Sequence, residues 1–325
     1  MSIIPVTVPT GAIRYNTDSN KMECFNGTKW MQVSVSESRS TGSRGLIGGA
    51  ESTNTITYFT ISTAGNGIDF GDLTNVQDYP GACASRTRGL WGGGRDPSNL
   101  NIISMVEIAT AGNASDFGDI TVARRELAGF GNQTRGLFAG GTLGSSDVID
   151  YVTISTTGNA IDFGNLSQAR DGLAGLASAT RGVVAGGEGP SPYPGIDIIE
   201  FVTIASTGNM VDFGNLDAGK WSVAGCASPT RGLINGNNPS SSGTIQHITI
   251  ASTGNSQDFG DWSNASHSGA SFSSSTRGLW AHSNPNSTST VQYVEFATLG
   301  DGINFGDSTA EVYRSAGCSN GHGGL

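Results

Sequence analysis

From residue 43 onward the chain alternates short apolar runs with polar turns, and the same order of runs returns six times. One complete copy reads "LAGLASATRGVVAGG" (173–187), then a polar loop, then "IIEFVTIASTGNMVDFGNL" (198–216). The runs are short and bounded by Gly, Ser, Thr or Asn, which predicts strands rather than helices. Each copy holds four of them: a ("LAGLAS"), b ("RGVVAGG"), c ("IEFVTIAS") and d, the short piece around Asp-Phe-Gly. Two adjacent apolar residues follow the Arg-Gly of strand b in every copy: Leu46/Ile47, Leu90/Trp91, Leu137/Phe138, Val183/Val184, Leu233/Ile234 and Leu279/Trp280. Neighbouring residues of a strand point to opposite faces, so both faces of strand b have to be covered.

A period of 40 to 50 residues, rich in β-formers and double glycines, is the mark of propeller blades. The ends of the chain predict how the ring closes. The first copy opens at strand b with "SRGLIGG" (43–49), and the residues where its strand a should lie, "SESRST" (36–41), are polar. The terminal stretch "SAGCSNGHGGL" (315–325) reproduces strand a and its turn. The expectation is an all-β chain: a six-bladed β-propeller of four-stranded blades over residues 43–325, closed by the C-terminal strand, after a small N-terminal β-hairpin module over residues 1–42.

The repeat resembles the kelch family of β-propellers. The resemblance rests on apolar strands running into glycines, "LFAGG" (137–141) and "VVAGG" (183–187), and on a basic residue before strand a, Arg124, Arg170 or Lys220. The tryptophan typical of that repeat is replaced by the phenylalanine of Asp-Phe-Gly, and the double glycine becomes Gly236-Asn237 and His282-Ser283 in two copies.

The hairpin module reads as alternating "AIRYN" and "MECFN" strands joined by "TDSN", followed by an "NGT" turn into "KWMQV". It resembles a module of bacteriophage tail-fibre and other virion proteins through Thr10, Gly11, Ile13, Arg14, Tyr15, Asn16 and then Asn26, Gly27, Thr28 and Trp30. The Thr-Arg-Gly-Leu and Ser-Thr-Gly-Asn turns also look like those of marine and cyanobacterial phage virion proteins. Three strands are too few to stand alone in water, so Ile13, Tyr15, Phe25, Trp30 and Met31 are expected to attach the chain to the virion. The resemblance implies a non-enzymatic structural protein of the virion, a tail-fibre or appendage subunit made in the host cytoplasm and homo-oligomeric in the particle. Its partners would be tail or capsid proteins and a host surface glycan or receptor. A capsid-decorating head fibre and a glycan-binding propeller outside a virion are the alternatives.

Composition narrows this further. The chain has 49 Gly in 325 residues, about twice the usual share of roughly 7 %. A formal net charge of −10 argues against a nucleic-acid groove, which needs clustered Lys and Arg. No run is apolar and long enough to cross a bilayer, and the first residues carry no basic-then-apolar signal. In a protein kinase an Asp-Phe-Gly triplet holds magnesium, but here Phe70, Phe117, Phe163, Phe213, Phe259 and Phe305 all precede Gly, at spacings of 47, 46, 50, 46 and 46. A group that returns in every copy belongs to architecture.

The remaining candidates divide between core and surface. Cys83, Cys226 and Cys318 share one column of strand a with Phe130, Leu176 and Phe272 and read as core fillers; Cys24 stands alone. His247 occupies an aromatic column of strand c, and His267, His282 and His322 show no metal-ligand spacing, so neither metal nor cofactor is expected. Arg44, Arg88, Arg135, Arg181, Arg231 and Arg277 open strand b and should pair with a carboxylate or carbonyl of a neighbouring blade, the alternative being an anion site at the channel mouth. In an antiparallel blade the a–b and c–d turns share one end, and these are the near-constant turns. The diverse b–c and d–a loops share the other. One column just before strand a reads Asp78, Arg125, Asp171, Trp221, His267 and Tyr313, and varies freely. With Tyr79 and Tyr193 it forms the candidate contact surface for a partner or glycan, against plain drift on a solvated surface.

Overall fold

The structure is a computed structural model describing residues 8–17, 21–32, 43–142, 146–192, 194–237, 243–263, 269–282 and 289–325. The described residues are all-β, without a helix. The chain divides into two compact units, Met1–Thr41 and Gly42–Leu325.

In the first unit, β1 (Ile13–Asn16), β2 (Lys21–Phe25) and β3 (Trp30–Gln32) form one antiparallel sheet in that order. The Asn-Gly-Thr turn holds β2 to β3: Asn26 Oδ1 accepts the backbone N–H groups of Thr28 and Lys29, and Gly27 takes a φ of 94° that suits glycine.

In the second unit, β4 (Arg44–Gly48), β5 (Thr55–Thr60) and β6 (Ile68–Asp72) are followed by a complete four-stranded sheet of β7 (Gly81–Ala84), β8 (Arg88–Gly92), β9 (Ile102–Glu107) and β10 (Ser115–Asp119). The next sheet is β11 (Ala128–Gly131), β12 (Arg135–Ala139), β13 (Val148–Thr153) and β14 (Ile161–Asn165). Then come β15 (Ala174–Ala177), β16 (Arg181–Ala185), β17 (Ile196–Thr203), β18 (Val211–Ala227), β19 (Arg231–Asn237), β20 (Thr244–Thr249) and β21 (Gln257–Asp261) in a single seven-stranded sheet. A further four-stranded sheet comprises β22 (Ser271–Ser273), β23 (Arg277–Ala281), β24 (Thr290–Glu295) and β25 (Ile303–Asp307). Finally β26 (Ala316–Ser319) returns to pair antiparallel with β4, Ala316 opposite Gly48 and Ser319 opposite Gly45. The C-terminal strand thus completes the sheet that β4 begins.

One joint departs from the expected pattern of separate four-stranded units. β18 runs unbroken from the outer position of one set to the inner position of the next, because Ile196 pairs with Lys220 and Trp221 with Asn237 across what should be the linker. We number the six sets 1 to 6 from the sheet that holds β4, with β18 shared between sets 4 and 5.

Three sets of contacts explain the repeated dipeptides and link each set to the next. Each Arg-Gly glycine lies under a strand-a side chain of the preceding set: Cys318 over Gly89, Cys83 over Gly136, Phe130 over Gly182, Leu176 over Gly232, Cys226 over Gly278 and Phe272 over Gly45. A Cβ at Gly136 would meet Cys83 Sγ at 2.5 Å, so the glycine is required by close approach. The phenylalanine of Asp-Phe-Gly, or of Asn304-Phe305-Gly306 in the sixth set, is buried and its carbonyl accepts the turn glycine of the following set: Gly112 N–H to Phe70 at 2.7 Å, Gly158 to Phe117, Gly208 to Phe163, Gly254 to Phe213, Gly300 to Phe259 and Gly65 to Phe305. The turn Asn, or Asp301 in the sixth set, accepts a second backbone N–H through its Oδ1, as Asn113 does from Asp72 and Asn66 from Asp307. The outer strand of every set is therefore paired along its edge by the next turn. Lastly, the inner strands are neighbours in the order β26, β7, β11, β15, β18, β22 and again β26.

Candidate functional site

At the end of the second unit where the constant turns lie, the repeat arginines reach across to the next set. Nη1 donates to a main-chain carbonyl just after strand c: Arg44 to Ile108, Arg88 to Ile154, Arg135 to Ile204, Arg181 to Ile250, Arg231 to Phe296 and Arg277 to Ile61. The guanidinium of Arg44, Arg135, Arg181 and Arg277 also lies over the ring of Tyr58, Tyr151, Phe201 and Tyr293 of its own set. Both interactions hold the cation half-buried at a joint between sets.

The inner strands enclose a cavity of about 150 Å³ walled mainly by Ala, Gly, Ser and Cys. The segment after β26 crosses its end beside the constant turns. His322 Nδ1 accepts the Gly324 N–H at 3.1 Å, so Nε2 carries the proton and donates to Ala84 O at 2.9 Å. Gly323 N–H donates to Ala227 O, and the glycines at 321, 323 and 324 approach Ser43, Ala177, Ser228 and Gly131 too closely to admit a side chain. Burial pushes the His322 imidazole below its ordinary pKa. Burial likewise raises the thiols of Cys83, to about 12, and of Cys226 and Cys318, and none forms a disulfide. Such thiols are weak nucleophiles.

At the opposite end, the described members of the variable column are buried or half-buried rather than free in solvent. Asp78 and Asp171 are buried, and Arg125, Trp221, Tyr313 and the adjacent Tyr79 are half-buried. The reason is that the column prolongs strand a: Asp78 bridges to Arg95, Arg125 to Thr142, Asp171 to Glu188, and Trp221 pairs with Asn237. Tyr193 and His267 lie outside the described residues. The residue after the column adopts left-handed backbone, with φ of 58° at Tyr79, 61° at Glu126, 59° at Gly172 and 65° at Arg314. A chain of main-chain bonds holds this conformation, from Tyr79 N–H to Arg314 O, Glu126 N–H to Tyr79 O and Gly172 N–H to Glu126 O, each 2.9 Å.

Two polar clusters result. Arg314 donates to Glu51 at 2.7 Å, lies 3.4 Å from Asp78 Oδ2, and places its guanidinium 4.8 Å from the ring centroid of Tyr79 and 4.5 Å from that of Tyr313. Each tyrosine thus has one ring face turned to a cation. Desolvation pushes the Tyr79 phenol up to about 12, with the charge of Glu126 adding to it and Arg314 opposing. In the second cluster, burial and the nearby Glu126 and Glu188 carboxylates raise Asp171 to about 6, against a hydrogen bond from Thr142, while Arg125 donates to Glu126 at 3.0 Å. Among the described residues no His, Cys, Asp and Glu group is arranged to hold a metal ion. The loop composition drew attention to this end, but the roles of Arg314, Glu126 and Glu51 had no signal in the repeat, because each occurs in one copy only.

Beneath both clusters lies a buried polar column. Arg124 meets Asp150 at 2.8 Å and Arg170 meets Glu200 at 2.5 Å, all four side chains essentially without exposure. Lys220, equally buried, has the half-exposed Asp217 carboxylate at 3.4 Å. Gln77 and Ser104 make the neutral counterpart in the second set. Arg124 and Arg170, two of the basic residues before strand a, are therefore partners of strand c.

In the first unit the register separates the five attachment residues onto two faces. Ile13 pairs with Cys24, Tyr15 with Met22 and Cys24 with Met31, which puts these five on one face, with Ile13, Tyr15, Met22 and Met31 exposed. Phe25 and Trp30 are paired on the other, beneath Arg14, whose guanidinium lies 4.2 Å from the Trp30 ring and bonds Glu23. The Arg14 and Asn16 hydrogen bonds lower the Glu23 pKa. No family model and no curated protein matches the sequence.

Proposed function

We propose that residues 43–325 form a six-bladed β-propeller and that the chain is a structural, non-enzymatic component of a bacteriophage virion, a tail-fibre or appendage subunit. The propeller reading is carried by one observation: the side chains over glycine, the arginine-to-carbonyl bonds and the turn-to-strand bonds each step from set to set and return to the first after the sixth. A linear stack would leave the last set without a successor. The virion reading rests on the resemblance of Thr10–Asn16 and Asn26–Trp30 to phage fibre modules, and is supported by a three-stranded sheet with Ile13, Met22 and Met31 exposed on one face. The absence of an enzymatic role is supported by a cavity whose thiols and imidazole are buried and held in their neutral forms.

The mechanism is mechanical. The sheet of residues 13–32 anchors the chain on the particle, and the propeller presents its variable end, with Tyr79, Arg125, Trp221 and Tyr313, to a host glycan or receptor or to another subunit. Immunogold negative-stain imaging of purified particles with an antibody to this chain tests the location. Gold on the tail is expected, gold on the capsid would make it a head fibre, and unlabelled particles would remove the virion reading. A glycan array and host adsorption by a Trp221→Ala phage test the receptor role: no bound sugar together with unchanged adsorption would end it.

A further inference from the structure

Exposed apolar side chains of the second unit are unevenly placed. Of the six exposed large ones among the described residues, Ile68, Ile161, Val211, Leu299 and Ile303 sit at the constant-turn end, 53 to 61 % exposed, and Val122 sits at the other. Four of them open the outer strand of a set and pair with an aromatic residue of the strand before: Ile68 with Tyr58, Ile161 with Tyr151, Val211 with Phe201 and Ile303 with Tyr293. The other two sets carry no exposed aliphatic residue there, since Ser115 pairs with Met105 and Gln257 with His247. The apolar pairs thus belong to sets 1, 3, 4 and 6. On the propeller reading, on which this inference rests, sets 6 and 1 are adjacent and so are 3 and 4. The result is two apolar patches on opposite sides, separated by the polar sets 2 and 5.

We propose that this end of the propeller is an interface between two copies of the chain, stacked face to face about a two-fold axis. An axis passing between sets 6 and 1 and between sets 3 and 4 lays set 6 on set 1 of the second copy, set 3 on set 4 and set 2 on set 5. Every apolar pair then meets an apolar pair, and the Met105/Ser115 pair meets the His247/Gln257 pair. An isologous contact requires a surface that complements itself under one rotation, and this order of sets does so. Among the described residues the variable end carries one exposed large aliphatic side chain, Val122, and the pairing leaves that end outward.

Light scattering on the size-exclusion peak of the full chain should return twice the chain mass. The double variants Ile161→Lys/Val211→Lys and Ile68→Lys/Ile303→Lys should return the single mass with an unchanged circular-dichroism melt, because these side chains contribute little to the core. Val122→Lys and, in the N-terminal sheet, Met22→Lys should keep the doubled mass. A single mass for the native chain, a doubled mass that survives both Lys pairs, or a doubled mass lost with Met22→Lys would overturn the proposal. Negative-stain class averages of the same sample keep the two readings apart: six-lobed discs standing singly refute the pairing alone, whereas particles without six lobes refute the propeller itself.

Discussion

The Asp-Phe-Gly triplet shows how unequal three recurring residues can be. Asp69 is exposed, Phe70 is buried, and Gly71 has a φ of 141° with the carbonyl carbon of Gly112 only 2.5 Å from where a Cβ would stand. Asp69→Ala should therefore change stability by no more than about 0.5 kcal/mol, the usual range for an exposed site. Gly71→Ala should cost several-fold more, because both the backbone conformation and the neighbouring turn resist it. Urea unfolding of the two variants side by side measures this. Gly136→Ala should also destabilise, by about 1–3 kcal/mol, through the Cys83 sulfur. Adding Cys83→Ala should recover part of that loss, a coupling that a double-mutant cycle reads directly.

The buried cations form a second series at the same scale. Arg170 faces a carboxylate as buried as itself, and desolvation lowers its pKa while Glu200 raises it. Arg170→Met strands Glu200 and should cost about 3–5 kcal/mol, whereas Arg170→Met with Glu200→Leu should be near neutral. Lys220→Met should be far milder than Arg170→Met, because Asp217 is half-exposed and water can take over its charge. Thermal melts of the three variants decide it.

At the scale of elements, the segment after β26 predicts a pH dependence. His322 is held neutral, with its folded pKa below the ordinary value of 6.5, so folding disfavours the protonated ring. Its contribution is complete above pH 6.5 and is lost as pH falls through that value towards the lowered folded pKa. Protonation would place a second N–H against the Gly324 N–H, and the segment should leave the cavity mouth. Burial lowers its pKa, and the bond to the Ala84 carbonyl opposes that. Asp171 has the opposite sign: its folded pKa of about 6, against an ordinary 3.8, means it detracts from stability as pH rises through that window. Between pH 7 and pH 4 the urea midpoint of the native chain should drop relative to that of His322→Asn, and Asp171→Asn should raise the midpoint at pH 7.

This segment also marks where sequence reading stopped. Strands a to d were legible because short apolar runs bounded by turn residues return at a near-constant period and leave their mark on every copy, and the pairing of β26 with β4 followed from a missing strand at one end and a spare one at the other. The partners of the Arg-Gly glycines were not legible. Periodicity reports which residues recur, whereas a close approach between sets depends on their relative position in space. For the same reason "GHGGL" read simply as the turn after strand a, although its glycines are close approaches to the surrounding sets. The variable column was found as a column, but its burial was hidden, since a residue that extends a strand and one that hangs in a loop look alike when neither repeats.

At the scale of the whole molecule, the propeller reading predicts that the stability of the second unit depends on the cycle being unbroken. β26 supplies the inner strand beside β4, Cys318 fills the space over Gly89, and the following residues cross the cavity, so ten terminal residues take part in several joints at once. If the sets were an open row, removing 316–325 would fray one end and leave the remainder with an almost unchanged midpoint, since each unit in a row depends only on its neighbours. In a ring the same deletion exposes the inner edge of β4 and the outer face of set 6 together. The expected result is a fall of the whole transition, with a reduced urea dependence because less surface is hidden in the folded state. A synthetic peptide of residues 315–325 added to the truncated chain should move the midpoint back in proportion to the logarithm of its concentration, as any ligand of the folded state does. An unchanged midpoint, or one the peptide does not move, would show that the cycle is not what holds the unit together.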